Sequence, residues 1–323
     1  MHPLFDDVLG QEQIRDVLSR VVMRPGHAYL FHGPKGVGKG MLAERFAAAL
    51  LFSPEEQASF DRARLADRLQ AHPDFIRFVR EEGTKEFSVR QVRELLQRVS
   101  LSSARGGKIV ILVEESDTLN EESCNALLKT VEEPSAALVF LFLAERPDRL
   151  PATLRSRLAP LACSRVPKKQ IKEWLKTVHS VKDPTALAEA ARGCPGRALR
   201  YLSDLSGWQA SKEQANALAE QLLHGDLGVR LLAIDRMVTL AERQEEPAQG
   251  WSVLLEQAEQ AIQQEWLSHP LETVRMARGL IHASKLVGGS LSPRFALEWN
   301  GTLPLVPSHF IPRSLDSSSL FSL

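Results

Sequence analysis

The stretch FHGPKGVGKGMLAERF, residues 31–46, has the residue types of a loop that holds nucleotide phosphates. Gly33, Gly38 and Lys39 satisfy G-x-x-x-x-G-K, with Pro34, Lys35, Gly36 and Val37 between them. Glycines let successive backbone N–H groups turn inward onto phosphate oxygens, and the helix that follows adds partial positive charge at its N-terminus. Lys39 is long enough to reach a terminal phosphate as a point charge. The loop continues into Gly40 and Met41, where a serine or threonine after the lysine would offer magnesium a hydroxyl. A later apolar run, KIVILV, ends in Glu114, Glu115, Ser116 and Asp117, so Glu114 stands where such sites carry a metal-binding aspartate. Its extra methylene displaces the carboxylate, and magnesium tolerates departures from octahedral geometry poorly. The pattern keeps a phosphate cradle and alters both protein ligands of the metal. It leads us to expect ATP or ADP held weakly or not at all, with Mg2+ poorly coordinated.

Other residue types add less. Arg157, in the run RSRL at 155–158, is by default a solvated surface charge; its chemical alternative is a cation delivered to a neighbour's nucleotide. Cys124, Cys163 and Cys194 are far apart and form no CxxC pair, which fits a reducing compartment and small buried apolar side chains. His72, before Pro73 and Asp74, reads as a structural histidine at a turn. No HExxH and no Ser/His/Asp set is visible, and no metal site is expected.

The elements needed to position the loop are legible from periodicity. Ile14, Leu18, Val21 and Val22 recur at helical spacing before Pro25 and Gly26. HAYLFHG is a short apolar strand leading into the loop, and the helix after the loop runs to about Phe52. Residues 53–71 read as polar helix, DFIRFV as a strand, and SVRQVRELLQRVSL as an amphipathic helix with Val89, Val92, Leu95, Leu96 and Val99 on one face. KIVILV and LVFLFLA are continuous apolar runs, suited to strands buried on both faces of a parallel sheet, with the helix NEESCNALLKTVEEP between them. Strand and helix alternate, so residues 1–166 are expected to form an α/β domain with a parallel sheet. Three short helices, PKKQIKEWLKTVH, PTALAEAARG and GRALRYLSDL, make a small second domain over 167–207. Residues 208–310 read as a helical bundle, with an apolar stripe through Val229, Leu232, Ala233, Met237 and Leu240, and 311–323 as a loose proline- and serine-rich tail.

A chain of 323 residues suits two or three domains and a core that needs no disulfide or metal staple. Its 40 basic and 40 acidic residues balance, so nucleic-acid contact would be local or shared with partners. The start, MHPLFDDVLG, lacks the basic and apolar regions of a signal peptide, and no apolar stretch approaches the roughly 20 residues needed to span a bilayer. The expected location is the cytoplasm, with no membrane contact.

The whole set of motifs resembles the AAA+ clamp-loader family of bacterial DNA polymerase III. The resemblance runs from about residue 4 to 205, through LFDDVLGQEQI, PGHAYLFHGPKGVGKG, HPDF, VRQVRELL, KIVILVEESDTLNEESCNALLKTVEEP, LPATLRSRL and ARGCPGRALR. It implies an AAA+ P-loop domain, a helical lid and a helical C-terminal collar. By position it places Val8 and Leu9, with Gly10 and Gln11, at the adenine pocket, Gly33 to Lys39 on the phosphates, and Glu114 and Glu115 at the strand-end acid positions. It makes Arg157 an arginine finger acting in trans and Arg197, in PGRAL, a second nucleotide-sensing arginine. Leu158 departs from the family's Ser-Arg-Cys motif, and no polar first-sensor residue is evident at Ala144–Glu145. Many members carry a four-cysteine zinc module, but residues 51–71 contain no cysteine, so no zinc is expected. The implied partners are the delta and tau/gamma subunits in a hetero-pentameric ring, with the sliding clamp and primer-template DNA reached through the assembly. The implied role is a stator with little or no ATPase activity. The alternatives are a competent ATPase of the tau/gamma type and, from another class, a P-loop kinase or nucleotide switch.

Overall fold

The computed structural model describes residues 2–224 apart from 82, 85 and 100–102, together with Val229, Leu232, Ala233 and Arg236. The chain separates into two compact units, Met1–Ser203 and Asp204–Leu323. The first holds five parallel strands: β1 (Ala28–His32), β2 (Phe75–Phe78), β3 (Ile109–Val113), β4 (Leu138–Ala144) and β5 (Ala159–Ala162). Their order across the sheet is β2-β3-β4-β1-β5. The chain reverses its direction of winding at β1, which lies between β4 and β5, and ligands of open parallel sheets bind beyond the carboxyl ends of strands at such a switch point.

Alternation along the strands divides the interior into two layers of side chains. Tyr29, Phe31, Val110, Leu112, Val139 and Leu141 face one core. Leu30, Ile109, Ile111, Val113, Phe140 and Phe142 face the other. Successive strand residues point to opposite faces, so a strand covered on both sides must be apolar at every position, as β3 and β4 are. The first face is covered by α1 (Glu12–Val21), α2 (Lys39–Leu51) and α4 (Leu65–Gln70), while α3 (Pro54–Ala58) buries no residue. The second is covered by α5 (Val89–Val99), α6 (Glu121–Glu132) and the short α7 (Ala152–Arg155).

The local signals explain the boundaries. Ser53 caps α3 by accepting from the Glu56 amide, with Pro54 in the first turn, and Asn120 caps α6 through the Ser123 amide at 2.9 Å. In α2 the residues Leu42, Ala43, Phe46, Ala47 and Ala48 are fully buried, because this helix packs against the centre of the sheet. The polar stretch 53–71 becomes α3, a 3-10 turn at Arg62–Arg64, and α4, whose Leu65 and Leu69 are completely buried.

β5 was not legible. APLA contains a proline and shows only Leu161 buried, so it lacks both the apolar run and the alternation that mark a strand. It exists because β1 offers it a free edge, pairing Tyr29 through His32 with Ala159 through Ala162.

The three short lid helices are α8 (Lys168–Thr177), α9 (Thr185–Ala190) and α10 (Pro195–Ser203), all within the first unit. Of the second unit, the structure describes α11 (Leu205–His224) and the four later positions. Among the stripe residues at those positions Ala233 is buried, while Val229 and Leu232 are exposed, Leu232 by 60%. The remainder of 208–310 and the segment 311–323 lie outside the described residues.

Candidate functional site

The phosphate loop leaves β1 at Gly33, whose backbone amide donates to the Ala144 carbonyl at the end of β4. Gly33 has φ +142°, and a Cβ there would come within 2.2 Å of the Cys163 carbonyl oxygen, so no other residue fits between β1 and the chain leaving β5. Gly36 and Gly38 also have positive φ, +77° and +108°, and give the loop its inward curl. Val37 between them is buried and pins the loop to the core. Lys39, in the first turn of α2, is largely buried and donates from Nζ to the carbonyls of Gly33, at 2.6 Å, and Pro34, at 2.9 Å. Burial lowers its pKa, an effect opposed by Glu145 and Asp117. The lysine therefore braces the loop from within.

Beyond the loop lies a cleft of about 360 Å³, within the usual size of small-ligand sites. Asp7, Val8 and Leu9 form one wall, and Lys35 through Met41 form the floor. Glu114, Glu115 and Asp117 come from the end of β3, and Leu143, Ala144 and Glu145 from the end of β4. Trp174 on α8, with Pro195, Gly196 and Leu199 on α10, closes it from the lid.

Three polar contacts fix these walls. Asp7 is gripped by the buried Arg45 of α2 through two bonds, Nε to Oδ1 at 3.1 Å and Nη2 to Oδ2 at 2.5 Å. Such bidentate pairs fix orientation as well as position. Gln11, in the left-handed conformation at φ +60°, donates from Nε2 to the Ser164 carbonyl at 2.5 Å and to the Val37 carbonyl at 3.4 Å, and accepts from the Ser164 amide at 3.0 Å. One side chain thus ties the N-terminal strap, the phosphate loop and the chain entering the lid. The Gly196 amide donates to the Gly36 carbonyl at 2.8 Å, seating the start of α10 on the loop.

The strand-end acids are already engaged. Arg77 of β2 donates from Nη1 to Glu114 Oε1 at 2.5 Å and from Nη2 to Glu44 Oε1 on α2. Arg80, just beyond β2, pairs with Glu115 at 3.2 Å. Asp117 accepts from the Arg146 amide at 3.1 Å. Gly40 supplies no side-chain donor, and among the described residues no group of three or more His, Cys, Asp or Glu side chains is arranged to hold a metal. A divalent cation does not fit this donor set: its two expected ligands are a missing hydroxyl and a carboxylate committed to a guanidinium.

Arg157 is elsewhere. It follows α7, does not line the cleft, and is 39% exposed. Its guanidinium is ordered by Glu132 at the end of α6, Nη2 to Oε1 at 2.5 Å, and by the Thr153 carbonyl, Nη1 to O at 2.6 Å.

Of the residues expected from sequence, Val8, Leu9, Lys35, Gly36, Val37, Gly38, Lys39, Gly40, Met41, Glu114 and Glu115 line the one cleft. Gly33 and Pro34 shape the turn behind it and accept from Lys39. Arg197 is not part of the lining; its neighbours Gly196 and Leu199 are, and its half-buried side chain is on α10. Sequence reading missed Asp7 with Arg45, Gln11 as a three-way tie, Trp174, and the pairing of Arg77 and Arg80 with the acids. The only available signal for the last was the alternation in FIRFVR, which puts Arg77 among apolar neighbours at the edge of the sheet.

Fold and site together define a P-loop protein of the AAA+ class: a five-stranded parallel sheet, a glycine loop opening a helix at the switch point, and a helical lid over the cleft. Residues 10–166 match the family described as DNA polymerase III, delta subunit. The chain is 34% identical to DNA polymerase III subunit delta′ of Pseudomonas aeruginosa over 250 residues, covering 76% of this chain and 67% of that one. The chain belongs to the DNA polymerase III delta′ family. It is also 31% identical to DNA polymerase III subunit tau of Escherichia coli over 300 residues, covering 90% of this chain and 44% of that protein. In fold it resembles a DNA polymerase III gamma subunit-related protein of Thermotoga maritima, with a TM-score of 0.53 at 14% identity, covering 89% of this chain and 97% of that one. Among the described residues no helix is long and apolar enough to cross a membrane.

Proposed function

We propose that this chain serves DNA replication as a stator subunit of the sliding-clamp loader, keeping the AAA+ fold and lending Arg157 to the nucleotide of a neighbouring ATPase subunit. The observation that carries the reading is the placement of Arg157. It lies on the surface, outside its own cleft, on the turn between α7 and β5, with its guanidinium held by Glu132 and Thr153. A planar, always-charged group presented in that way suits stabilisation of phosphoryl charge in another molecule's site.

The chain's own cleft supports the same division of labour. Gly36, Gly38 and Lys39 would hold the phosphates of ATP or ADP, with Val8 and Leu9 against the base. Lys39 must leave the carbonyls of Gly33 and Pro34 to reach a phosphate, which weakens binding by the value of those bonds. Hydrolysis by this chain is little or none. Its partners are the delta and tau/gamma subunits of a hetero-pentameric ring in the cytoplasm, which reaches the sliding clamp and primer-template DNA as an assembly. Residues 208–310, whose sequence pattern suits a helical bundle, would form the ring's collar.

A second reading, a competent motor of the tau/gamma type, has a specific basis: similarity to subunit tau extends over nine-tenths of the chain. Gly40 and the committed Glu114 oppose it. Magnesium-dependent ATP hydrolysis by the purified chain, alone and co-purified with delta and tau/gamma subunits, separates the two. The stator reading expects a stable assembly and no turnover above background by the chain alone; robust turnover by the isolated chain contradicts it.

A further inference from the structure

Three charged side chains from three neighbouring elements meet beside the cleft, and one of them, Glu114, is part of its lining. Arg77 projects from β2, paired in register with Leu112 of β3, and joins Glu44 of α2 to Glu114 at the end of β3. Glu44 lies one helical turn beyond Gly40, the position that lacks a metal-binding hydroxyl, so the two occupy the same face of α2. All three partners are substantially shielded, with Arg77 27%, Glu44 18% and Glu114 33% exposed. Arg80 repeats the arrangement one strand step further, taking Glu115. Both acids at the end of β3 are therefore paired with arginines from the adjacent strand and its exit, Arg77 being shared with Glu44.

A divalent cation in such a cleft has two duties: it offsets phosphate charge and it relieves the repulsion between phosphates and nearby carboxylates. Here guanidinium groups already pair with both strand-end carboxylates. We propose that Arg77, which stands behind the cleft lining and holds Glu44 and Glu114, takes the place of a divalent metal at Glu114, and that phosphate-bearing ligands enter the cleft without one. Burial alone would weaken the hold of Arg77 on its proton, but the two carboxylates more than offset it, so the charge is permanent. The inference rests on the reading of the cleft as a nucleotide site, and it reassigns Glu114 from metal ligand to partner of Arg77.

The test is titration calorimetry of the full chain with ADP, in magnesium buffer and in chelator. The two dissociation constants are expected to agree within about twofold, since no ligand exchange at the metal is involved. An increase in affinity of roughly tenfold or more on adding magnesium overturns the proposal. In R77Q the carboxylates of Glu44 and Glu114 lose their counter-charge, and metal-free affinity is expected to fall on the order of tenfold, with magnesium restoring part of it. R77K keeps the charge and is expected to retain metal-free binding. R77Q that binds ADP as the unaltered chain does in chelator also overturns the proposal; if R77Q does not fold, the magnesium comparison on the unaltered chain decides. Absence of ADP binding in both buffers sinks the inference while leaving the stator reading intact, because that reading depends on Arg157 in the assembly.

Discussion

The backbone amide of Gly196 donates to the carbonyl of Gly36 over 2.8 Å, so the first turn of α10 rests directly on the phosphate loop. Neither partner has a side chain, and the approach is close for that reason: a Cβ on Gly196 would stand 3.1 Å from the Gly36 oxygen and 3.2 Å from its Cα. Lid and loop are in backbone contact, and any movement of one is felt by the other.

Gly196→Ala should push α10 off the loop. Forcing an extra methyl into a tight contact costs about 1–3 kcal/mol, and here the contact atoms belong to backbone that cannot swing aside. Hydrogen exchange over 195–203 should accelerate while the sheet remains protected. Unchanged exchange in α10 would show that the contact does not secure the lid.

Gln11 makes a separable contribution. In Gln11→Ala the Ser164 amide loses its acceptor and the carbonyls of Ser164 and Val37 lose their donor. Leaving such groups unpaired costs about 1–3 kcal/mol, so exchange at Ser164 should rise. Gln11→Glu keeps the acceptor and removes the donor; Ser164 should stay protected while the lid loosens. Equal exchange at Ser164 in both variants would contradict the assigned bonds.

Stability should fall on acidification, in two stages set by the turn at His72 and Asp74. His72 is buried, and its Nδ1 accepts from the Asp74 amide at 3.1 Å, so the fold requires the neutral ring. Burial, reinforced by Arg105, lowers its pKa below the ordinary 6.5. The unfolded chain binds that proton first, so the stabilisation is complete above about pH 6.5 and is lost as pH falls through the folded value. For Asp74 burial works toward a higher pKa, but hydrogen bonds from the amides of Ala104 and Arg105 and from Ser103 Oγ outweigh it, and the net shift is below 3.8. Its contribution is complete above that value and disappears at lower pH. Thermal melts between pH 7 and 5 should show a smaller decline for His72→Gln than for the unaltered chain. Parallel declines would remove His72 from this role.

The sheet domain was readable where a strand is apolar at every position or a helix shows one apolar face. β3, β4 and α5 meet those conditions, and Val92, Leu95 and Val99 are buried as their spacing implies. β5 could not be read, because an edge strand of four residues with one buried side chain carries no periodic signal. In the cleft, the loop residues were visible since glycine and lysine at fixed spacing have few other uses. The ties that shape it were not. Arg45 with Asp7 spans 38 residues and Gln11 with Ser164 spans 153, and nothing in the local sequence announces a contact at such separation. Gly40 and Glu114 raise the metal question from sequence alone, but the partner that engages Glu114, Arg77, lies 37 residues away on another strand.

We propose that this chain's contribution to catalysis is the guanidinium of Arg157, presented to a neighbour. Its most direct test is the ATP hydrolysis rate of a reconstituted loader containing Arg157→Ala. Loss of a fully engaged arginine finger can reach on the order of 10³-fold, so a marked fall in rate is expected, with the assembly intact and Arg157→Lys failing to restore it. An intact assembly that hydrolyses ATP at the unaltered rate would contradict a role for Arg157 in a neighbour's site.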